Sequence, residues 1–515
     1  MNKNVLFKIL PQKNNILKAV LVMSALFYLF LFLFIALKRL AYPFELEFME
    51  GGSLMQVMRL LRSEPLYVEP SLEYVPLLYP PLYFYSAAWI TEFFSFGFLP
   101  LRLISLISTL GSMVCIYLLI RKYATPFYAV VSVGLYAACF YICGAWYDIA
   151  RVDALFLFLL LAGIVFLQRQ TPCAVILAGL FFLLAFMTKQ IAAAIFLGSV
   201  LALALSNAPR YLKILYPLPF IVLVIPYIAG MQNLSDHWFL FYLFVLPGQH
   251  DVLPAMLLKF WQHDILSSLF ILFVFSLLFF LFLYKRDKKE FCFHFFIAAS
   301  MIMASWVSRL HAGGYINVLL PAMAVFSVYS VLGLAQLMTY LDLPGNEQLT
   351  LSGQKPHLSF SAGFAKSIML LLFLLQFMML LYDPRDQIPS RNDLRAGYQL
   401  IEEMKTIPGD IFMPWHGYLP VLAGKPAFAT HGLYDILRSQ NDSIRIRLQN
   451  QLDTAFARRR FETVILDDRW YDPIFLDHYQ FERFVFSAPG VFYPVTGMRL
   501  RPEFIYTKVE SIYTH

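Results

Sequence analysis

Long apolar runs recur up to about residue 382 and constrain the fold more than any other feature of the chain. Most of them approach the length of about 20 residues that a helix needs to cross a bilayer. The chain is 59% hydrophobic and only 14% charged, whereas soluble domains carry about 25% charged residues. Because no soluble fold could bury so much apolar surface, the sequence predicts a polytopic membrane protein. The runs cover residues 16–37, 82–98, 102–120, 126–146, 152–168, 173–187, 191–206, 211–230, 265–284, 291–308, 315–340 and 366–382.

The distribution of basic residues indicates which loops face the cytoplasm. If residues 82–98 crossed the membrane, the basic cluster at 285–289 and most other basic loops would face outward, against the orientation rule. Residues 82–98 are rich in aromatic side chains, which suits a helix lying in the headgroup region. We therefore predict about eleven spans plus one interfacial helix, a first outside loop at 38–101 and a cytoplasmic N-terminus. That N-terminus carries Lys3, Lys8, Lys13 and Lys18.

The composition changes at Asp383, after which charged residues are frequent. Short β-like runs at 410–414 and 463–466 alternate there with helical stretches such as 394–405. The sequence thus predicts a small soluble α/β domain at 383–515. Since the predicted number of spans is odd, this domain should be extracytoplasmic.

The predicted fold class is accordingly an all-α polytopic membrane bundle at 1–382 with a small C-terminal α/β extracytoplasmic domain. Residues 341–364, rich in Gly, Ser, Pro and polar side chains, are predicted to form a cytoplasmic loop. His416 and His431 form the most conspicuous pair in the C-terminal domain. We interpret both as structural and predict that the domain serves acceptor recognition or gating, not chemistry.

Acidic residues accumulate in the segments predicted to lie outside, whereas the cytoplasmic loops contain few. Acidic side chains contribute little to membrane orientation, so this asymmetry needs another explanation. A polar site on the outer face is the simplest one. The outside acids before the last span are Glu45, Glu47, Glu50, Glu64, Glu69, Glu73, Glu92, Asp148, Asp153, Asp236, Asp251 and Asp264.

Glu47 and Glu50 follow the first span directly and share one face if their segment is helical. Two neighbouring carboxylates raise each other's pKa, or hold a cation or a basic substrate between them. Gly51 and Gly52 allow close approach of backbone or ligand at that point. A merely solvated loop is the alternative, and we favour a functional pair.

The second outside loop brings Asp148, Arg151 and Asp153 together within six residues. Arg151 can pair with either acid. Charges at bilayer depth are costly unless they are used, so this cluster favours function over simple anchoring of a span.

Two further outside turns add basic groups. Lys189 and Gln190 lie between two short spans, and Arg309, His311 and Asn317 lie in a later turn. Cations at the membrane surface beside carboxylates suit the recognition of a lipid-linked phosphate. The alternative is that these basic side chains only anchor their spans by extending their charges to the membrane interface.

A corner of sequence Tyr79-Pro80-Pro81 precedes the predicted interfacial helix. The two prolines stop one element and preset the start of the next. A rigid corner over the bundle and a direct contact with substrate are both open as roles for Tyr79 and Pro81.

The net charge of +7 does not indicate a nucleic-acid partner, because the basic residues cluster in short loops as the orientation rule requires. The five cysteines lie in or beside apolar runs and show neither a disulfide framework nor zinc spacing. Any metal site is unknown from the sequence.

In their order and spacing, these motifs resemble the GT-C superfamily of bacterial membrane glycosyltransferases, and are similar to the protein mannosyltransferases of family 39 and the aminoarabinose transferase of lipid A. The resemblance extends from the first span to about residue 382 and implies a C-terminal extracytoplasmic domain. The motifs that carry it are Glu47 with Glu50-Gly51, Tyr79-Pro80-Pro81-Leu82, Ala150-Arg151-Val152-Asp153, Lys189-Gln190, and Arg309 through Asn317 leading to Pro321.

The resemblance implies a polyprenyl-phosphate-linked sugar donor and an inverting single displacement, with an acid of the first outside loop as general base. Many members have Asp there, whereas this chain has only Glu. The Glu50-Gly51 step matches a recurring variant, so Glu50 is our preferred base and Glu47 the alternative. Lys189 and Arg309 would neutralise the departing lipid phosphate. The other implied substrate-binding residues are Tyr79, Pro81, Asp148, Arg151, Asp153, Gln190, His311 and Asn317.

The implied partners are the lipid-linked donor, membrane lipid and an extracytoplasmic acceptor, which could be a glycan, a lipid or a protein. The implied location is the bacterial inner (cytoplasmic) membrane. No cofactor is certain, and a divalent Mg or Mn ion on the phosphate stays open. A transporter or flippase of lipid-linked sugars is the alternative function, although the chain shows neither internal repeats nor charges near the bilayer midplane.

Overall fold

The structure is a computed structural model that describes residues 3–343, 348–350, 359–429, 431–470 and 472–509. Half of the predicted cytoplasmic loop at 341–364 lies outside the described residues, as do the side chains of Lys3, Lys8 and Lys13.

The described chain is mostly helical, with a few strands near its end. The helices are α1 (Lys3–Arg39), α2 (Glu50–Leu61), α3 (Leu82–Thr91), α4 (Phe98–Arg121), α5 (Pro126–Ala138), α6 (Asp153–Leu167), α7 (Pro172–Phe186), α8 (Ala192–Leu205), α9 (Arg210–Leu215), α10 (Leu218–Leu234), α11 (Trp238–Leu240), α12 (Met256–Lys259), α13 (Ser267–Arg286), α14 (Lys288–Leu310), α15 (Leu320–Tyr340), α16 (Ala362–Met379), α17 (Arg391–Thr406), α18 (Tyr418–Leu422), α19 (Gly432–Leu437), α20 (Asp442–Ala457) and α21 (Asp472–Phe475). The π-helical segments are Phe241–Val245 and Phe260–Leu266, and the 3₁₀ segments are Pro247–Gln249, Ile316–Leu319 and Pro384–Gln387. The strands are β1 (Gln348–Thr350), β2 (Ser359–Ser361), β3 (Ile411–Phe412), β4 (Thr463–Leu466), β5 (Tyr479–Phe484) and β6 (Phe504–Lys508).

Seven helical segments of the described chain are long and apolar enough to cross a membrane. Four shorter apolar helices, α5 to α8, occupy four more of the predicted spans with 13 to 15 residues each. The prediction of a helical multi-pass membrane protein is confirmed. The count of eleven spans stays a prediction, because such short helices rise about 20–23 Å and the hydrocarbon core is about 30 Å thick. The seven long segments are Asn14–Arg39, Phe98–Arg121, Arg210–Leu234, Met256–Arg286, Lys288–Leu310, Ile316–Tyr340 and Ala362–Met379.

Helix α3 lies within residues 82–98, and the predicted orientation depends on whether this apolar run crosses the membrane or lies along its surface. Its ten residues rise about 15 Å, half of what a span requires. Tyr83 and Phe84 are buried, whereas Trp89 is 64% exposed and Phe93, just beyond the helix, is 69% exposed. One face therefore packs on protein while large aromatic side chains point outward, as expected of an interfacial helix.

Local sequence sets several helix boundaries of the bundle. α5 and α7 each begin with a proline, Pro126 and Pro172, where the missing N–H is tolerated. Asp287 separates α13 from α14 and caps α14 by accepting backbone N–H groups of its first turn. The apolar window of the segment Ile316–Tyr340 is buried throughout, so α15 is a central helix of the bundle.

The C-terminal domain contains a four-stranded sheet in the order β3-β4-β6-β5. β3 pairs with β4 in parallel, with Ile411 opposite Thr463, and β6 pairs antiparallel with β4 and β5. The predicted β-like runs contain β3 and β4, and the predicted helical stretch lies within α17, so the α/β class is confirmed. Because β3 and β4 are adjacent and parallel, their carboxyl ends meet at one edge of the sheet.

The first loop and the C-terminal domain share one apolar core. Buried Leu77 of the loop belongs to the same cluster as Leu419 and Leu433 of the domain. The backbone N–H of Ala429 also donates to the carbonyl of Leu72 at 2.8 Å. The two segments therefore lie on the same side of the bundle, as the predicted topology requires.

Candidate functional site

Glu50 forms a fully buried ion pair with Arg102 of α4. Arg102 Nη2 lies 2.6 Å from Glu50 Oε2, and Arg102 Nε lies 3.0 Å from Oε1. Glu50 also accepts the backbone N–H groups of Leu46 at 2.6 Å and Ala150 at 2.5 Å. With both oxygens occupied and no exposure to solvent, Glu50 has the geometry of a structural ion pair. This geometry argues against our sequence-based preference for Glu50 as the base.

Glu47 lies just before α2 and has a different environment. Its Oε2 is 3.4 Å from Arg151 Nη1, whereas its Oε1 is buried without a hydrogen-bond partner among the described residues. Burial raises the pKa of Glu47 to about 8, although the charge of Arg151 opposes this and those of Glu50 and Glu45 add to it. Glu47 therefore keeps one oxygen available and titrates close to neutral pH.

Glycine residues permit close packing around Glu45 and Glu47. The backbone N–H of Gly51 donates to Glu45 Oε1 at 2.9 Å, and a Cβ at Gly51 would clash with that oxygen. A Cβ at Gly497 would lie 2.7 Å from Glu47 Cγ, and Gly497 has a φ of +79°, which favours glycine. The close approach predicted for the glycine pair is therefore observed at Gly51, and Gly497 of the C-terminal domain provides a second close approach over Glu47.

Arg151 stands beside Glu47 and joins it to the proline corner. Its Nη2 donates to the Tyr79 hydroxyl at 3.1 Å. Its guanidinium also lies 5.6 Å from the Tyr79 ring centroid and 5.2 Å from that of Trp146. Arg151 is thereby fixed with its charge toward one oxygen of Glu47.

Arg151, which the sequence allowed to pair with Asp148 or Asp153, forms its ion pair with Glu47. Asp148 instead forms a buried ion pair with Arg39, whose Nε lies 2.8 Å from Asp148 Oδ2. Arg39 also donates to the backbone carbonyl of Ala145 at 2.7 Å. Asp148 therefore joins the end of the first span to the second loop, and both of its oxygens are taken.

Asp153 is the centre of a second polar cluster, at the start of α6. Its Oδ1 accepts hydrogen bonds from Lys189 Nζ at 2.6 Å and from Asn317 Nδ2 at 2.9 Å. Asp153 Oδ2 and Asn317 Oδ1 are buried without partners among the described residues. A small cavity beside them is lined by these three side chains and by Pro321. Residues from three of the predicted motifs thus meet at one cavity whose polar atoms are not all satisfied.

The proline corner and Gln190 position the loop near this cluster. Pro81 is the N-cap residue of α3, which matches a role as a rigid corner. Gln190 Nε2 donates to the backbone carbonyls of Leu78 and Leu243 at 3.1 Å each, while its Oε1 has no partner among the described residues. The backbone carbonyl of Tyr79 lies in the same corner. The hydroxyl of Tyr79 contacts the guanidinium of Arg151.

Arg309 and His311 have partners of their own. Arg309 Nε lies 2.8 Å from Asp264 Oδ2, and the pair is only partly exposed. His311 Nε2 donates to the carbonyl of Pro247 at 2.7 Å. The described partners of Arg309 and His311 belong to neighbouring segments, and not to the cluster around Glu47 or the cluster around Asp153.

A buried contact between the two domains was not predicted from the sequence. His416 Nδ1 lies 2.5 Å from Glu45 Oε2, and His416 Nε2 lies 2.8 Å from Asp467 Oδ2. All three side chains are at most 5% exposed. Burial opposes protonation of His416, but the two carboxylates outweigh it and raise its pKa to about 10. No motif marks this contact, because its residues come from three distant segments.

Within the described parts of the chain, no group of three or more His, Cys, Asp or Glu side chains is placed to hold a metal ion.

Known proteins resemble the chain in both sequence and fold. Residues 79–232 match the family model of dolichyl-phosphate-mannose-protein mannosyltransferases, a stretch that includes Tyr79, Arg151, Asp153 and Lys189. The crystal structure of ArnT from Cupriavidus metallidurans in the apo state aligns with a TM-score of 0.57 at 10% identity, over 94% of this chain and 98% of that one. The chain has the GT-C fold.

Two further structures agree with this assignment. ArnT bound to undecaprenyl phosphate aligns with a TM-score of 0.55 at 10% identity, over 95% of this chain and 99% of that one. The archaeal oligosaccharyltransferase AglB from Archaeoglobus fulgidus, in complex with an inhibitory peptide and a dolichol-phosphate, aligns with a TM-score of 0.50 at 13% identity, over 86% of this chain and 69% of AglB. No curated protein sequence matches the chain significantly. The predicted resemblance to GT-C proteins is confirmed, and the ArnT alignments extend it into the C-terminal domain.

Proposed function

We propose that this GT-C protein is a glycosyltransferase that moves a sugar from a polyprenyl-phosphate-linked donor to an acceptor outside the cytoplasm. The observation that carries the proposal is the pair of incomplete polar clusters next to each other in the fold, one with a free carboxylate oxygen on Glu47 and one with the ammonium of Lys189 at a cavity. The donor class is supported by the lipid phosphates bound to ArnT and AglB and by the donor in the name of the matching family.

Glu47 is the proposed general base, in place of Glu50. A base needs a lone pair that can reach the acceptor hydroxyl, and Glu50 uses both oxygens in hydrogen bonds, whereas Glu47 Oε1 has none in the described chain. A pKa of about 8 for Glu47 lies near working pH, where general bases act efficiently. Arg151 orients the carboxylate through its other oxygen.

The reaction is a single displacement at the anomeric carbon. Glu47 takes the proton of the acceptor hydroxyl, the acceptor oxygen bonds to the anomeric carbon, and the bond from that carbon to the phosphate oxygen breaks. The configuration inverts, and polyprenyl phosphate leaves with the bonding electron pair. Negative charge on the phosphate grows during this step, so a fixed cation nearby stabilises the transition state.

Lys189 is the proposed cation for that phosphate. Its Nζ lies 2.6 Å from Asp153 Oδ1 and close to the rings of Tyr79 and Phe156, at 5.9 and 5.8 Å from their centroids. The amide of Asn317 lies in the same cluster and can donate to an incoming oxygen. Arg309 is a second candidate, provided that it exchanges Asp264 for the phosphate.

Access to Glu47 requires movement of the C-terminal segment that covers it. The backbone N–H of Thr496 donates to the carbonyl of Leu46 at 3.0 Å, and Gly497 packs on the Glu47 side chain. The Tyr315 hydroxyl holds the same segment by donating to the carbonyl of Gly497 at 3.1 Å. We expect an acceptor to displace these contacts before its hydroxyl reaches Oε1.

The test is a transfer assay with the purified chain in detergent and a synthetic polyprenyl-phosphate sugar. Release of polyprenyl phosphate, dependent on Glu47, supports the proposal. Absence of release with every acceptor tried, while the donor is bound, would contradict it.

A further inference from the structure

The carboxyl ends of β3 and β4 point toward the first outside loop. Trp415 and His416 follow β3, and Asp467 follows β4 directly. At this edge His416 contacts Glu45 of the loop. In α/β sheets, ligands bind beyond the carboxyl ends of parallel strands, where the connecting loops leave the sheet. This edge therefore faces the loop that carries Glu47.

Four aromatic rings form a row from Phe48, the residue after Glu47, toward the surface. The ring centroids of Phe48 and Trp415 are 6.4 Å apart, those of Trp415 and Tyr434 are 5.9 Å apart, and those of Tyr434 and Trp470 are 5.0 Å apart. Phe48 is 8% exposed, Trp415 and Tyr434 are half-buried, and Trp470 is 39% exposed. We call this row the aromatic track. Its inner end, Phe48, follows Glu47 in the chain, and its outer end, Trp470, is exposed.

Three hydrogen-bonding atoms along the aromatic track lack partners in the described part of the chain. Trp415 Nε1, His431 Nε2 and Asp467 Oδ1 are buried without a partner among the described residues. The His431 ring packs against Trp415 and Phe48, with centroids 5.0 and 5.1 Å away. Burial lowers the pKa of His431 well below its usual value, so its imidazole is neutral. Buried polar groups are rarely left unsatisfied, and a ligand that completes them explains their presence in one place.

We propose that the aromatic track binds the acceptor and that this acceptor is a saccharide. A sugar ring combines the two chemistries found here, because its C–H face packs on aromatic rings while its hydroxyls donate and accept hydrogen bonds. An acyl chain would contact the rings but leave Trp415, His431 and Asp467 unsatisfied. A charged peptide would need ionic partners, and Asp467 already pairs with His416. The inference rests on the proposed transfer function and adds the class of acceptor.

The test uses the full chain in detergent and an array of immobilised oligosaccharides of two to six sugar units. The wild type should bind a subset of the array, and the free form of the best ligand should bind at least tenfold more weakly to Trp470→Ala and to Trp415→Ala. Phe484→Ala is the matched control, since Phe484 is 53% exposed on β5, at the other edge of the sheet from β3. This control should bind like the wild type. Trp470 is the more exposed of the two test positions, so Trp470→Ala keeps the test valid if Trp415→Ala fails to fold.

The outcomes separate the acceptor class from the transfer function when donor cleavage is measured in parallel. The proposal that the aromatic track binds a saccharide is overturned if the wild type binds no saccharide. It is also overturned if Phe484→Ala loses as much affinity as the two Trp variants. Transfer to a lipid or peptide acceptor without saccharide binding overturns the proposed acceptor class and leaves the transfer function standing. Saccharide binding without any release of polyprenyl phosphate overturns the transfer function.

Discussion

Replacing Glu47 and Glu50 separately by Gln should produce two different defects. Glu47→Gln keeps the size of the side chain but removes the lone pair that accepts the proton, and loss of a general base costs about 10² to 10⁴ in rate. Glu47 and Arg151 are also a buried pair, but they share a single contact of 3.4 Å, and Arg151 keeps its hydrogen bond to the Tyr79 hydroxyl. We therefore expect Glu47→Gln to destabilise the folded state less than Glu50→Gln. The expected result is a folded protein that binds donor and transfers sugar at least about a hundredfold more slowly.

Glu50→Gln should instead destabilise the protein. Glu50 accepts four hydrogen bonds of 2.5 to 3.0 Å, two of them from the fully buried Arg102. The variant leaves that guanidinium buried without its counter-charge, and breaking a buried pair in this way costs about 3–5 kcal/mol. We expect a clearly lower unfolding temperature, with any loss of activity following from the loss of folded protein.

The assay combines thermal unfolding in detergent with initial rates of sugar transfer and with donor binding measured separately. Glu92→Gln is the matched control, because Glu92 is an exposed acid of the same loop. It should match the wild type in all three measurements. If Glu50→Gln proves stable but inactive while Glu47→Gln retains normal turnover, the base is Glu50 and our reasoning from hydrogen-bond occupancy is refuted.

Four further outcomes are expected. The rate of transfer should increase as the pH rises through about 8, because Glu47 acts as a base only when ionised, and a rate that falls over this range would contradict its role. His416→Ala should make the C-terminal domain more sensitive to limited proteolysis, since two buried carboxylates lose their shared cation, yet turnover with a small acceptor should stay measurable; complete inactivity of the folded variant would show a role in chemistry. Lys189→Ala should weaken donor binding at least about tenfold if the ammonium contacts the phosphate, and unchanged binding would remove it from the donor site. A reporter fused after Asp383 should be active only outside the cytoplasm and one within 285–289 only inside, whereas activity of both on one side would disprove the eleven-span topology.

The sequence predicted the features that depend on local periodicity and composition. Apolar runs marked the helices of the bundle, and the short β-like runs at 410–414 and 463–466 contain β3 and β4. Asp153 and Lys189 meet in the structure because both lie where helices end on the same face of the bundle. Such contacts follow from topology alone, since outside loops of a helical bundle have little space in which to separate.

Which acid pairs with which base could not be predicted, because the pairs join distant segments. Arg102 is 52 residues from Glu50, and Arg39 is 109 residues from Asp148. One signal was present, since Arg102 begins an apolar run and a charge in such a place needs a partner. The contact of His416 with Glu45 has no comparable signal, because it depends on how the C-terminal domain docks on the loop.

The most direct test of the central claim is made in proteoliposomes that contain the purified chain and a polyprenyl-phosphate sugar labelled in the sugar. Both the release of unlabelled polyprenyl phosphate and the movement of intact donor between the leaflets are followed, for the wild type and for Glu47→Gln. We predict that the wild type cleaves the donor and transfers the label to acceptor, and that Glu47→Gln binds the donor but leaves it intact. Movement of the intact donor between leaflets by both proteins, with no cleavage by either, would contradict the account and identify a transporter.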